Sequence, residues 1–135
     1  MNLNKRAIWA VTIVYWLAIF TLTHLPPSKL PPVPVNDKVE HMTAFGLLGI
    51  FLFAALQTTR LRRGQAVALL IAIVMFYAVV DELLQVPVGR TCDIHDIYAD
   101  LAGLAMAVVM CVVIDWKGRR RERINLNVET PNPNE

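Results

Sequence analysis

The chain has 135 residues, of which 56% are hydrophobic and only 18% charged, and its formal net charge is +2. That length suits one compact domain, and the shortage of charge excludes a disordered chain or a nucleic-acid-coating protein. A water-soluble domain usually carries about 25% charged residues. The low charge content, and its exclusion from long blocks, point to a polytopic membrane protein.

The first block, Ala7 to Thr23, has no charge. Lys5 and Arg6 precede it, as in a secretory leader, but it is longer than a leader core and His24-Leu25-Pro26-Pro27 is a poor cleavage site. An uncleaved first spanning helix is expected. The stretch from Pro26 to Pro34 then holds five of the eight prolines and reads as an extended loop.

Three more apolar blocks follow: Met42 to Leu56, Ala66 to Val80 and Leu101 to Ile114. Each is shorter than the about 20 residues that cross a bilayer. Helices two, three and four must therefore extend through polar neighbours: back to Asp37, forward to Val86, and back to Asp96. Ala66 to Val80 is apolar on every face, unlike a helix of a soluble bundle. The polar segment 121–135, with Pro131 and Pro133, is expected to be a disordered tail behind a domain of residues 1–120. Cys92 and Cys111 show no C-x-x-C or zinc-ligand spacing.

Ten of the thirteen basic residues lie before block one, between blocks two and three, or after block four. The positive-inside rule places these on the cytoplasmic side. The expected fold is all-α, a polytopic membrane four-helix bundle with both termini cytoplasmic, in a bacterial cytoplasmic (inner) membrane. The arginines after block four set topology and touch anionic lipid.

In this topology Asp37, Glu40, Asp81, Glu82, Asp93, Asp96 and Asp100 fall at the outer end, with Lys38 and Arg90. So large an acidic excess inside a bilayer edge calls for protons or a bound cation. His41 follows Asp37 by four residues, Gln85 follows Asp81 by four, and Asp100 follows Asp96 by four, so each pair shares a helix face. His41, Asp81 and Asp100 all come roughly 6–8 Å below the outer helix ends. Asp37 with Glu40 can also cap helix two, and Asp93 or Asp96 helix four. Asp81 and Glu82 are adjacent, so one is expected inside the bundle and the other at the interface or a neighbouring helix. Arg90 is a counter-ion, a fork for phosphate or carboxylate, or a solvated loop charge. His24 reads as structural, and Cys92 and His95 as loop residues. Ala99, Gly103 and Ala107 form a small-residue stripe, and Gly46 and Gly49 a thin edge on helix two, which suit close helix contact.

Taken together these segments resemble the VanZ-like membrane proteins. Asp37 to Gly49 is similar to their D-K-x-x-H…F-x-x-L-G segment, Asp81 to Gln85 to D-E-x-x-Q, and Gly89-Arg90 with Asp96 and Gly103 to G-R-x…D-x-x-x-N-x-x-G. The resemblance covers residues 1 to about 115. Asp100 stands where the family usually has Asn, which adds an ionisable group. The resemblance implies cell-envelope context and a link to resistance against teicoplanin, a glycopeptide antibiotic.

Three function classes follow. In the first, Asp37, His41, Asp81, Glu82, Gln85, Arg90, Asp96 and Asp100 form an outward-facing site. It binds a lipid-linked envelope precursor or a glycopeptide-like ligand, with membrane lipids as partners and oligomers allowed. In the second, the same groups serve an intramembrane hydrolase or transferase acting on a lipid-linked substrate. A divalent metal on His41, Asp81, Asp96 and Asp100 would be its cofactor, since imidazole with carboxylate suits Mn or Zn. No G-x-S-x-G or H-E-x-x-H accompanies it. The third, a proton- or ion-coupled carrier, ranks last because no charge continues inward through the apolar blocks.

Overall fold

The structure, a computed structural model, describes residues 3–26 and 36–129. They form four helices and no strand: α1 (Leu3–Thr23), α2 (Asp37–Gln57), α3 (Arg63–Gln85) and α4 (Ile94–Glu129). All four are long and apolar enough to cross a membrane. The chain is a multi-pass membrane protein, and the extension of blocks two to four through their polar neighbours is observed. The proline-rich loop lies almost wholly outside the described residues.

Local sequence sets each boundary. Asn36, rather than Asp37, caps α2: its Oδ1 accepts from the Lys38 backbone N–H at 2.9 Å. Asp37 and Glu40 sit in the first turn, where acids oppose the helix dipole. Gln65 Oε1 accepts from the Arg62 N–H at 2.9 Å and closes the start of α3. Pro87 ends α3 in a single 3-10 turn, Val86–Val88, after which Gly89 takes φ +84°, a left-handed conformation that favours glycine. Asp93 caps α4, its Oδ1 accepting from the His95 N–H at 2.9 Å. Helix α4 continues to Glu129, through the first part of the segment read as a disordered tail; residues 130–135 lie outside the described part. At about 54 Å it exceeds an about 30 Å hydrocarbon core, so its basic end projects beyond the membrane.

The bundle is apolar outside and polar inside at one end. Val14, Phe76 and Val109 are more than 60% exposed, while Asp81, Glu82, Gln85 and Asp100 are each 1% exposed. Helices α2 and α3 occupy the centre, and α1 and α4 flank them without touching each other among the described residues. The α2–α4 crossing is the tightest. A Cβ added to Gly103 would overlap the Met42 carbonyl oxygen and lie 2.8 Å from Gly46 N, and one on Gly49 would lie 2.9 Å from the Ala107 Cβ. In lipid, apolar burial gives little drive between helices, so such backbone approach supplies the contact.

Helix α1 is attached differently. Trp9 Nε1 donates to Thr58 Oγ1 at 3.2 Å, Thr12 Oγ1 to the Phe51 carbonyl at 3.2 Å, and Tyr15 Oη to the Ala44 carbonyl at 3.1 Å. These three bonds hold α1 on α2 along its length and leave a groove between them toward the acidic end.

Candidate functional site

At the acidic end the helix termini bring polar groups over the bundle's apolar core. Below them Phe45 stacks on Tyr77, 5.3 Å between ring centres, and Tyr77 meets Trp16 edge-on at 5.1 Å. This aromatic floor separates the polar layer from the charge-free interior.

The polar layer has two halves. In the α2–α4 half, His41 Nδ1 lies 3.0 Å from Asp100 Oδ1. The close approach at Gly103, one turn below Asp100, brings these two helices near enough for the pair to form. Lys38 Nζ donates to Asp93 Oδ2 at 2.7 Å and, very closely, to Asp96 Oδ1. Outside the spanning segments, Asp93 has its carboxyl held well below the usual range. The causes are the Lys38 ammonium, then the His95 backbone N–H and the His95 ring.

In the α1–α3 half, Asp81 Oδ1 accepts from Thr23 Oγ1 and Oδ2 from Gln85 Nε2, each at 3.1 Å. His24 Nδ1 stands 3.8 Å from Asp81 Oδ1 and 2.8 Å from the Phe20 carbonyl. Glu82 points the other way and receives the Asp93 N–H on Oε1. Both adjacent acids are thus inside the bundle, and of the two places expected for the second acid, the interface or a neighbouring helix, Glu82 takes the neighbouring helix, at the start of α4. They diverge by about 100° on α3, and α3 has α1 on one side and α4 on the other, so each finds a protein partner.

Arg90 joins the halves across the groove mouth. Its Nη1 donates to the Thr23 carbonyl at 3.3 Å and its Nη2 to Asp37 Oδ1 at 3.4 Å, while its backbone N–H returns to the Gln85 carbonyl. The groove between α1 and α2 encloses about 550 Å³. Its walls are Tyr15, Ala18, Ile19, Leu22, Ala44 and Phe45, and its polar end is Thr23, Asp37, Glu40, His41 and Arg90.

Sequence reasoning placed every one of its eight candidates at this end, but the geometry sorts them. Asp37, His41 and Arg90 line the groove. Asp96 and Asp100 stand behind them on α4, whereas Asp81, accepting from both Gln85 and Thr23, belongs to the α1–α3 half of the polar layer. Among the four metal candidates only His41 and Asp96 cluster as ligands; Asp37 joins them, with donor atoms within 4.8 Å of one another. Asp100 supports His41 instead of ligating beside it. Lys38, Thr23 and His24 were passed over as site residues. The D-K-x-x-H spacing already put Lys38 one turn from His41, and that was the available signal; the roles of Thr23 and His24 depend on which face of α3 meets α1.

Three buried polar atoms have no hydrogen-bond partner among the described residues: His24 Nε2, Tyr77 Oη and Glu82 Oε2. Chemically, the site can receive an anion at Arg90, a cation at the carboxylates, and a proton at His41 Nε2 when Nδ1–H is given to Asp100.

Comparison with known proteins fits this arrangement. An uncharacterized protein of the fission yeast Schizosaccharomyces pombe is 33% identical over 117 residues, which cover 86% of this chain and 70% of the relative. No solved structure matches the chain. The family model described as VanZ/LLP1 matches residues 6–115, which take in α2 and α3, most of α1, the first part of α4 and the whole polar layer, and the chain belongs to that family.

Proposed function

We propose that this protein binds an amphiphile in the α1–α2 groove, its headgroup at Arg90, Asp37 and His41 and its chain along the apolar walls. The observation that carries the reading is the groove itself: about 550 Å³, apolar along its length and charged only at its mouth. That volume is within the about 300–1,000 Å³ of small-molecule sites. The ligand class is a lipid-linked envelope component or a glycopeptide-like molecule. A relative in a fungus favours the lipid, because fungi make no peptidoglycan. The basic residues at the opposite end support an orientation with the groove mouth outward and both termini in the cytoplasm of a bacterial cell. In that setting, holding a precursor or drug at the outer leaflet would contribute to glycopeptide resistance.

The test uses the purified full chain in micelles with a polyprenyl phosphate and, separately, teicoplanin. Arg90→Ala is expected to weaken binding of the preferred probe by about 10-fold or more, the scale of a lost charge-assisted contact, with the melting temperature preserved. Unchanged affinity for both probes overturns the reading. A companion assay asks whether a susceptible host tolerates more teicoplanin when it expresses the wild type, and less when it expresses Arg90→Ala.

A second reading, an intramembrane hydrolase or transferase, is favoured by the His41–Asp100 pair. A carboxylate that orients an imidazole at the polar end of a lipid-sized groove is a general-base arrangement. Release of inorganic phosphate from the polyprenyl phosphate, abolished in His41→Gln, distinguishes it from binding alone.

A further inference from the structure

The three groups Asp37, His41 and Asp96 come from two helices, α2 and α4, and reach one point at the groove's inner edge. One donor atom from each lies within 4.8 Å of the others. Ligands about 2.1 Å from a shared ion stand about 3.4 Å apart, so closure needs about 1 Å of side-chain movement, and Asp37 is 49% exposed and able to make it.

A second feature is the division of labour within each side chain. His41 is 4% exposed, and its Nδ1 is occupied by Asp100. Asp96 is 7% exposed, and its Oδ1 is held by Lys38. Asp37 Oδ1 is held by Arg90. The hydrogen bonds named here use one atom of each side chain and do not involve the other, His41 Nε2, Asp96 Oδ2 or Asp37 Oδ2. Metal ligands characteristically have one polar atom fixed by an outer partner and the other free for the ion, as in carboxylate–histidine–metal triads. Beside Asp96, the buried Oε2 of Glu82 is without a hydrogen-bond partner among the described residues.

We propose that Asp37, His41 and Asp96 form a divalent transition-metal site, with Nε2 as the histidine ligand and Asp100, Lys38 and Arg90 as its outer partners. One imidazole with two carboxylates suits Zn²⁺ or Mn²⁺ rather than Mg²⁺ or Ca²⁺, which take oxygen alone. Three protein ligands leave a coordination position facing the groove, where water or an oxyanion would complete the shell.

The experiment uses the tag-free full chain in micelles, stripped with a chelator and then given Zn²⁺ or Mn²⁺ alone. Elemental analysis after gel filtration is expected to find one ion per chain, and titration calorimetry to show a single class of site. Asp37→Asn, His41→Gln and Asp96→Asn are each expected to weaken binding at least 10-fold. Asp37→Asn, at an exposed position, does so with the metal-free melting temperature unchanged. No retained ion in the wild type, or wild-type affinity in any of the three variants, overturns the site. Because no amphiphile is present, this result stands or falls separately from the ligand reading.

Discussion

His41 Nδ1 and Asp100 Oδ1 meet at 3.0 Å with side chains only 4% and 1% exposed, and the bond ties α2 to α4 one turn from their closest approach. Removing one member of a buried pair leaves the other unpaired, at a cost of about 3–5 kcal/mol. Asp100→Ala is therefore expected to lower stability by that amount. Asp100→Asn keeps an oxygen that can accept from Nδ1–H, so its cost should be about 1 kcal/mol. The comparison is made by thermal unfolding of the purified chain in micelles. Equal losses in the two variants would mean that the bond contributes nothing beyond its packing.

Gly103 gives a sharper test of how the helices are held. The atoms that a Cβ would strike, Met42 O and Gly46 N, are backbone and cannot rotate away. Gly103→Ala should push α4 off α2 at a cost of about 3 kcal/mol, the upper part of the usual overpacking range, and should also part His41 from Asp100. Gly118, farther along α4, has nothing within 4 Å of its would-be Cβ. Gly118→Ala is expected to be neutral or to stabilise by up to about 1 kcal/mol through helix propensity.

The cap of α4 carries a pH dependence. The Lys38 ammonium, with the His95 backbone N–H and ring behind it, holds the Asp93 carboxyl well below its ordinary value. The unfolded carboxyl titrates near about 3.9. A carboxyl whose folded-state value is depressed stabilises the fold above its unfolded value, and that contribution is lost as pH falls through the folded value. The cap should therefore hold at pH 5 and above and weaken progressively below about pH 4. Amide exchange at His95 reads this directly: protection should decline through that window in the wild type. In Asp93→Asn the decline from this group should be absent.

Much of this was legible in the sequence, for physical reasons. Charge-free blocks too short to span had to recruit Asp37, Asp81 and Asp96, because a helix cannot stop partway through a bilayer with its backbone unpaired. The stripe of Gly103 and Ala107 against Gly46 and Gly49 came from spacing alone and meets as expected. What spacing could not give was azimuth. The helical repeat fixes that Asp81 and Glu82 point about 100° apart, but not that α1 and α4 sit on either side of α3 to receive them. For the same reason Asp81 was grouped with His41, although its partners are Thr23 and Gln85. The displaced cap at Asn36 is a one-residue matter, in which Asn competed with a D-x-x-E pattern that also fits a helix start.

The groove separates the ligand reading from the metal site most cleanly at Ala18. This residue lies on the α1 wall of the groove, five residues before Thr23 at its polar end, and is not one of the three clustered metal ligands. A phenyl ring there would fill the apolar channel without touching the polar layer. Ala18→Phe is expected to lower retention of the amphiphile about 10-fold, read as co-purifying lipid by mass spectrometry or as affinity for polyprenyl phosphate. Zn²⁺ affinity and the melting temperature should remain as in the wild type. Retention equal to wild type would place the bound chain elsewhere on the bundle surface, because a ligand lying in this channel has no second path past a blocked wall.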